Sequence, residues 1–331
     1  MPLFRRSRSR LDSFELSADP ALTDRDLAAA RDAARRGDWL PARNLLARSA
    51  RDWDRREHLI PVLAESAVQE VAWIDTWVAA EPDNPDALMV RGHVEIIRGW
   101  LARNQDWTTG SSDKEYWSFV RTVQDAENLC RRAAELAPYD PMPWISLLML
   151  ARTKGEALDE FSNRWQQLLA RDPRSREGHH QALQYLSAKW RGSHEQMFEF
   201  AYNAAEGAGP GSPLVLLPVY AHAEFYAQVT QGDVHARREH AEHWRRPQIR
   251  TDVDRALSQW LGDRPPPPHA RAAVDHNYLA HALVTGGRSA DAAGQFEAIG
   301  PYATELPWRY THDDPADAFL EARREALRTT R

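Results

Sequence analysis

Four amphipathic segments between Ala126 and Trp190 constrain this chain more than any other feature of it. Ala126, Leu129, Cys130, Ala133 and Leu136 recur at the helical period, about 3.6 residues per turn. Trp144, Leu147, Leu148 and Ala151 follow in the same way, and so do Leu158, Phe161, Trp165, Leu168 and Leu169, and then Ala182, Leu183, Leu186 and Trp190. A helix that is apolar on one side must bury that side against a neighbour. Four in succession, joined by short turns, predict stacking. The expected fold class is all-α: an irregular α-solenoid of stacked antiparallel helix pairs, without a β-sheet.

The joints between helices repeat one device. Asn84-Pro85, Asp140-Pro141, Ser212-Pro213 and Asp314-Pro315 each set a capping side chain before a proline. A proline at the first helical position loses no needed N–H, and the preceding side chain satisfies an orphan donor. Ser112-x-x-Glu115 and Ser193-x-x-Gln196 read as capping boxes. Thr23 is expected to cap a first helix ending near Arg36. Gly37 then turns the chain, and Asp38 caps a second helix carrying Trp39, Ala42, Leu45 and Leu46. Residues 55–80 read as a further pair. Pro218 should kink or delay the helix around it.

The spacing of these joints points to a repeat. Pro138 and Pro173 lie 35 residues apart, while Pro82 and Pro138 lie 56 apart. The surplus falls near 103–116, where Asp106-Trp107-Thr-Thr-Gly reads as a loop insertion. A period near 34 residues with paired amphipathic helices marks a helical repeat. Three regions follow: a disordered basic arm over 1–20, N-terminal helical repeats over 21–206, and C-terminal repeats with a capping helix over 207–331. Gly207 to Gly211 reads as a linker, and Arg264 to Pro268 as a polyproline II spacer.

The units resemble tetratricopeptide repeats. Asn84 to Leu88 followed by Arg91-Gly92 resembles the start of that family's first helix, with glycine where two helices approach. Trp144, Leu147 and Leu148 fall on the same places, with Leu148 replacing the small residue. Gly37, Trp39, Ala42 and Leu46, and again Gly287, Ala292, Phe296 and Ile299, resemble the start of its second helix. Two further stretches resemble segments of bacterial proteins of this type: Trp190-Arg-Gly-Ser193 with Met197, Phe200, Ala201 and Glu224, and Phe296-x-x-Ile299-Gly300 with Pro307-Trp308-x-Tyr310. No activity comes with either. The resemblance implies a concave face that receives a partner peptide or protein. The residues it places there are His93, Met149, Arg152, His180, Gln184, Asn277 and His281.

Composition narrows the function classes. A net charge of −6 argues against a chain devoted to nucleic acid. The single cysteine, Cys130, excludes an internal disulfide and a cysteine-cluster metal site, and its apolar face predicts burial. The arginines near the N-terminus are not followed by an apolar run, and no stretch is long and apolar enough for a membrane span. A cytoplasmic protein is expected. Thirteen tryptophans suit packing between helices or self-association into a homo-oligomer.

No phosphate loop, zinc-protease helix or serine elbow is present. The expectation is a non-enzymatic, cofactor-free scaffold. The alternative is a metal-binding or enzymatic protein using the histidine-rich region 222–281, which holds seven of the thirteen histidines. There His240 and His243 lie three apart and can share a helix face toward a metal. Against that stands a stretch rich in Arg and Glu, which reads as a solvated helix.

Overall fold

The computed structural model describes residues 14–106, 113–230, 237–262 and 269–329. Among them there is no strand. The helices are α1 (Arg25–Arg35), α2 (Leu40–Ser49), α3 (Trp53–Ala67), α4 (Ala72–Ala80), α5 (Pro85–Asp106), α6 (Asp113–Leu136), α7 (Met142–Lys154), α8 (Leu158–Leu169), α9 (Arg176–Tyr185), α10 (His194–Glu206), α11 (Leu217–Val229), α12 (Arg237–Trp244), α13 (Pro247–Ala256), α14 (Ala272–Thr285), α15 (Ala293–Ile299) and α16 (Pro315–Thr329). No helix among the described residues is long and apolar enough to cross a membrane.

The proline joints start helices as the sequence predicts. Asn84 Oδ1 accepts from the Asp86 N–H at 2.9 Å, and Asp140 Oδ1 from the Met142 N–H at 2.8 Å. Asp314 Oδ1 accepts from the Ala316 N–H at 2.8 Å. Ser212 caps a 3-10 turn over Pro213–Leu216, and α11 begins only after it, so Pro218 sits in the helix's first turn. Ser193 caps α10 through the Gln196 N–H, whereas Ser112 lies outside the described residues. The first helix is capped by Asp24 rather than Thr23, because the Asp24 carboxylate reaches the Leu27 N–H.

Sequential helices pack in pairs: α1 with α2, α5 with α6, α7 with α8, α14 with α15. Alternate helices also pack side by side, in the order α1, α3, α5, α7, α9, α11, α14. Glycine permits the closest of these approaches. A Cβ on Gly92 of α5 would stand 3.3 Å from both Cys130 Sγ and Leu129 Cβ of α6. After α9, a Cβ on Gly192 would stand 1.9 Å from the Leu186 carbonyl oxygen, so only glycine fits that turn.

The row of alternate helices curls back on itself. Glu57 of α3 accepts from Ser175 Oγ at 2.5 Å and from the Glu177 N–H at 3.1 Å. Asp54 accepts from the Ala270 N–H at 2.8 Å. The start of the chain thus meets the helix in the middle of the row and the turn before α14. The apolar core falls into two clusters, one over Ala21–Tyr185 and one over Leu183–Ala326, which meet on α9. Cys130 is fully buried in the first, and burial pushes its thiol up to about 12.

Three expectations need correction. Residues 14–20 are packed rather than a loose arm: Phe14 and Leu16 lie on the second cluster, the Ser17 N–H donates to the Pro301 carbonyl at 2.9 Å, and Asp19 pairs with Arg31. Residues 1–13 lie outside the described residues. The surplus at 103–116 is helix at both ends, because α5 and α6 run to 22 and 24 residues; only 107–112 lie outside the description. The helix carrying His240 and His243 is not solvated all round, since both imidazoles are buried. The polyproline stretch 264–268 also lies outside the described residues.

Candidate functional site

The inward side of the alternate helices is polar where a helix bundle is ordinarily apolar. Two groups define it: a buried ionic seam, and a cavity against the seam.

The seam joins α3, α9, α11 and α14. Ser175 caps α9 through the Gly178 N–H, and this sets Arg176 and Glu177 in the first helical turn. The Arg176 guanidinium donates to Asp275 and to Tyr220 Oη, and its Nη1 reaches Glu177 at 3.1 Å. Tyr220 Oη also donates to Asp275, and His269 Nε2 lies 3.1 Å from the same carboxylate. Arg271 Nε stands 3.4 Å from Glu177, and Gln181 Nε2 donates to Glu177 at 2.7 Å.

Charge in the seam balances. Burial works against the Asp275 and Glu177 carboxylates, but the neighbouring guanidiniums outweigh it and hold both well below the usual carboxylate range. Glu57 is the exception. Burial pushes it up to about 8 despite the Ser175 hydrogen bond, and the Glu177 charge adds to the rise. At neutral pH it is mainly protonated, leaving two guanidiniums against two carboxylates.

The cavity is an open cleft of about 710 Å³. That is within the size of small-molecule pockets, roughly 300–1,000 Å³. Trp100 of α5 and Arg152 of α7 form one wall, and His180, Gln181 and Gln184 of α9 form the floor. Lys189 and Trp190 follow from the turn after α9. Glu224, Ala227 and Gln228 of α11 stand opposite, with Tyr278 of α14 and Leu306, Arg309 and Tyr310 closing the far side. The Arg152 guanidinium lies 4.8 Å from the Trp100 ring centre and 5.4 Å from that of Trp190, and the two indoles meet edge-on at 5.5 Å. Tyr310 Oη donates to Glu224 at 2.6 Å. The stretches around Trp190–Glu224 and Pro307–Tyr310, distant in sequence, therefore meet at this wall.

Several buried polar atoms around the cavity have no hydrogen-bond partner: His180 Nδ1, Gln181 Oε1 and Gln228 Nε2. His180 is packed edge-on to Tyr220 at 5.1 Å, and burial together with the charges of Arg176, Arg271 and Arg152 drives its pKa down to about 3. It is a neutral ring at pH 7. A second depression of about 580 Å³ lies between α4, α5 and α6. Its charged groups already pair, Arg91 with Asp75 and Glu95, and Arg132 with Glu135 and the neighbouring Asp83, so it offers little to a ligand.

Of the residues expected on a concave face, Arg152, His180 and Gln184 line the cavity. His93 is buried within electrostatic reach of Glu177 and Arg271, and burial lowers it to about 4. Met149 packs against the first apolar cluster. Asn277 and His281 do not line the cavity. Asn277 is fully buried, donates to the Ala273 and Tyr302 carbonyls, and accepts from Trp308 Nε1 at 2.8 Å, so it fastens the 302–308 segment to α14. His281 is wedged between His240 and Trp308.

His240 and His243 pack against Tyr226 and Trp244. Among the described residues no group of three or more His, Cys, Asp or Glu side chains is placed to hold a metal ion. Sequence reasoning missed Trp100, Gln181, Lys189, Tyr278 and Arg309. The pair Arg176-Glu177 just inside a capped helix was the available signal, because adjacent opposite charges before an apolar face ask for buried partners. Comparison with protein-family models finds no match, and comparison with curated proteins finds none.

Proposed function

We propose that this protein is a recognition scaffold of the tetratricopeptide-like solenoid type that binds a segment of a partner protein. The binding place is the cavity between α5, α7, α9, α11 and the 306–310 turn. The observation that supports it is the polar inward side. A chain that needed only to be stable would fill that space with apolar side chains; here it is walled by indole and phenol rings and holds polar atoms without partners. The closure of α3 onto α9 and the turn before α14 limits what can enter. A long extended peptide running through a trough does not fit, whereas a short segment or chain end does.

Among the described residues the cavity joins no nucleophile to a base, and we favour binding over catalysis. A photo-crosslinking residue at Gln184, with a control at exposed Gln166 on α8, tests the proposal in the native cell. A protein captured from Gln184 and not from Gln166, and lost when Arg152→Gln is added, is the expected result. Capture from both positions alike, or from neither, would count against it.

A further inference from the structure

We infer that the uncovered flank of α6 docks a short acidic amphipathic helix of a partner protein. The surface is separate from the cavity, and the inference stands without the recognition proposal. Helix length is the first ground. α5 and α6 run to 22 and 24 residues, but α7 and α8 to only 13 and 12. Lys154, the last residue of α7, pairs with Glu127 at 2.6 Å, so α7 ends partway along α6. The turns of α6 before Glu127 run on past it.

The face left there is the second ground. Tyr116, Phe119, Val120 and Val123 recur at i, i+3, i+4 and i+7, the spacing of an apolar stripe that asks for a covering helix. Val123 is buried against α5, where a Cβ on Gly99 would stand 3.4 Å from its Cγ2. Phe119 and Val120 are only half-buried, and Tyr116 is 55% exposed. The four side chains form one wall of a cleft of about 460 Å³. The stripe spans about two helical turns, roughly 10 Å, so a short helix is enough to cover it.

The opposite wall selects the occupant. It is made by the end of α7 and the turn after α9, with Lys154, Lys189 and Arg191. Lys154 is already paired with Glu127 and Glu156. Lys189 and Arg191 are exposed, and neither has a carboxylate at ion-pair distance among the described residues. Lys189 Nζ lies 5.7 Å from the Trp190 ring centre. Arg191 lies over Gly155, where a Cβ would stand 2.9 Å from its Nη2, so the left-handed glycine that ends α7 also makes room for the guanidinium. An apolar wall facing a basic rim fits a helix with Leu, Ile or Met along one side and Asp or Glu on the flank that meets the rim. A second copy of α6 does not supply this, because residues 116–123 include no acidic side chain. A bilayer surface is flat, whereas the stripe lies within a cleft.

The test uses the full chain in equilibrium dialysis, read by mass spectrometry. One arm holds a pool of acetylated, amidated peptides of about twelve residues, with Leu, Ile or Met at helical spacing and Glu on the flanks. A second holds the same pool with Lys in place of Glu. A third holds phosphatidylserine–phosphatidylcholine vesicles, read by co-sedimentation. The acidic pool should be retained, and the basic pool should bind about fivefold or more weakly, a difference that added salt reduces. Tyr116→Ser with Val120→Ser should abolish retention and leave the circular dichroism spectrum unchanged. Lys189→Glu with Arg191→Glu, both at exposed positions, should reverse the preference between the pools. Equal retention of the two pools, retention of neither, or a preference that the charge reversal leaves in place would overturn the inference. So would vesicle binding lost with Tyr116→Ser, which would assign the flank to a membrane, or a dimer lost with it, which would assign the flank to a second copy. Capture from Gln184 reports on the cavity alone. Its failure alongside peptide retention would strike the recognition proposal and leave the docking surface standing; capture without retention would do the reverse.

Discussion

The two halves of the molecule use the same helix-on-helix construction and fill it with different polar groups. In the N-terminal cluster the most deeply buried arginines are paired with carboxylates. Arg56 bridges Asp86 at 2.5 Å and Asp140 at 2.8 Å, and Arg164 bridges Glu127 at 2.9 Å and Glu156 at 2.7 Å. In the C-terminal cluster a group of buried imidazoles packs among rings. His240 meets Tyr226 edge-on at 4.2 Å, and His243 lies between Phe225, Tyr226 and Trp244. His281 lies 5.3 Å from Trp308. A buried ion pair ties sequence-distant helices by specific partners; a buried imidazole packs like an aromatic ring and depends on staying uncharged. The halves should therefore fail under different conditions, and the seam between them should be the point where both are coupled.

The largest effect is expected at the seam. Asp275→Ala strands the buried Arg176 guanidinium and should cost about 3–5 kcal/mol by urea denaturation. If the seam couples the halves, the single transition should also split in two, visible as separate changes in tryptophan fluorescence and circular dichroism. Next comes the N-terminal half. Arg164→Met removes one of the cations on Glu127 and Glu156 while Lys154 remains at 2.6 and 2.7 Å, so the loss should be smaller, about 2–3 kcal/mol.

Acid should separate the halves without mutation. His240 and His243 are lowered by burial from 6.5 to about 4 and about 3, and His281 lies well below 6.5. Their neutral forms stabilise the fold fully above pH 6.5, and that stability is lost as pH falls from 6.5 toward those lowered values. Moving from pH 7 to pH 5 should cost about 2 kcal/mol for a histidine shifted this far. Glu127 shows the opposite pattern: burial opposes its ionisation, but Lys154, Arg131 and Arg164 hold it at about 2, so its contribution is lost only below pH 4.5. His93 and His58 give the N-terminal half a lesser share of the histidine effect. Hydrogen exchange at pH 5, corrected for intrinsic rates, should show α12 and α14 loosening before α6 to α8. Equal loosening would remove the distinction.

The smallest effect is local. Ser193→Ala deletes the α10 cap and should cost about 1 kcal/mol in the C-terminal half.

Much of this was legible in the sequence where the cause is local. A proline after a capping residue suits the first turn of a helix, and Asn84, Asp140 and Asp314 stand before α5, α7 and α16 while Ser212 caps a 3-10 turn. Gly92 was legible as a close approach because its neighbour, Cys130, lies on the adjoining helix. What was not legible is closure. Glu57 and Ser175 lie 118 residues apart and Asp54 and Ala270 lie 216 apart, and no periodicity relates them. The burial of His240 and His243 was hidden for a related reason. Their helix is short and rich in Arg and Glu, and its narrow buried face is made of imidazole and indole rather than aliphatic side chains. Of the positions named from the sequence, Arg152, His180 and Gln184 line the cavity and Asn277 and His281 do not.

Closure is the premise on which seam and cavity both depend, and it can be measured directly. Asp54→Cys with Ala270→Cys, in a chain whose native cysteine is buried, can be treated with a short bismaleimide and analysed under denaturing conditions. Near-complete intramolecular crosslinking in the monomer, reduced by Asp275→Ala, is the result predicted here. Two free cysteines that react only singly would show the helices in an open row, with no seam and no cavity against it.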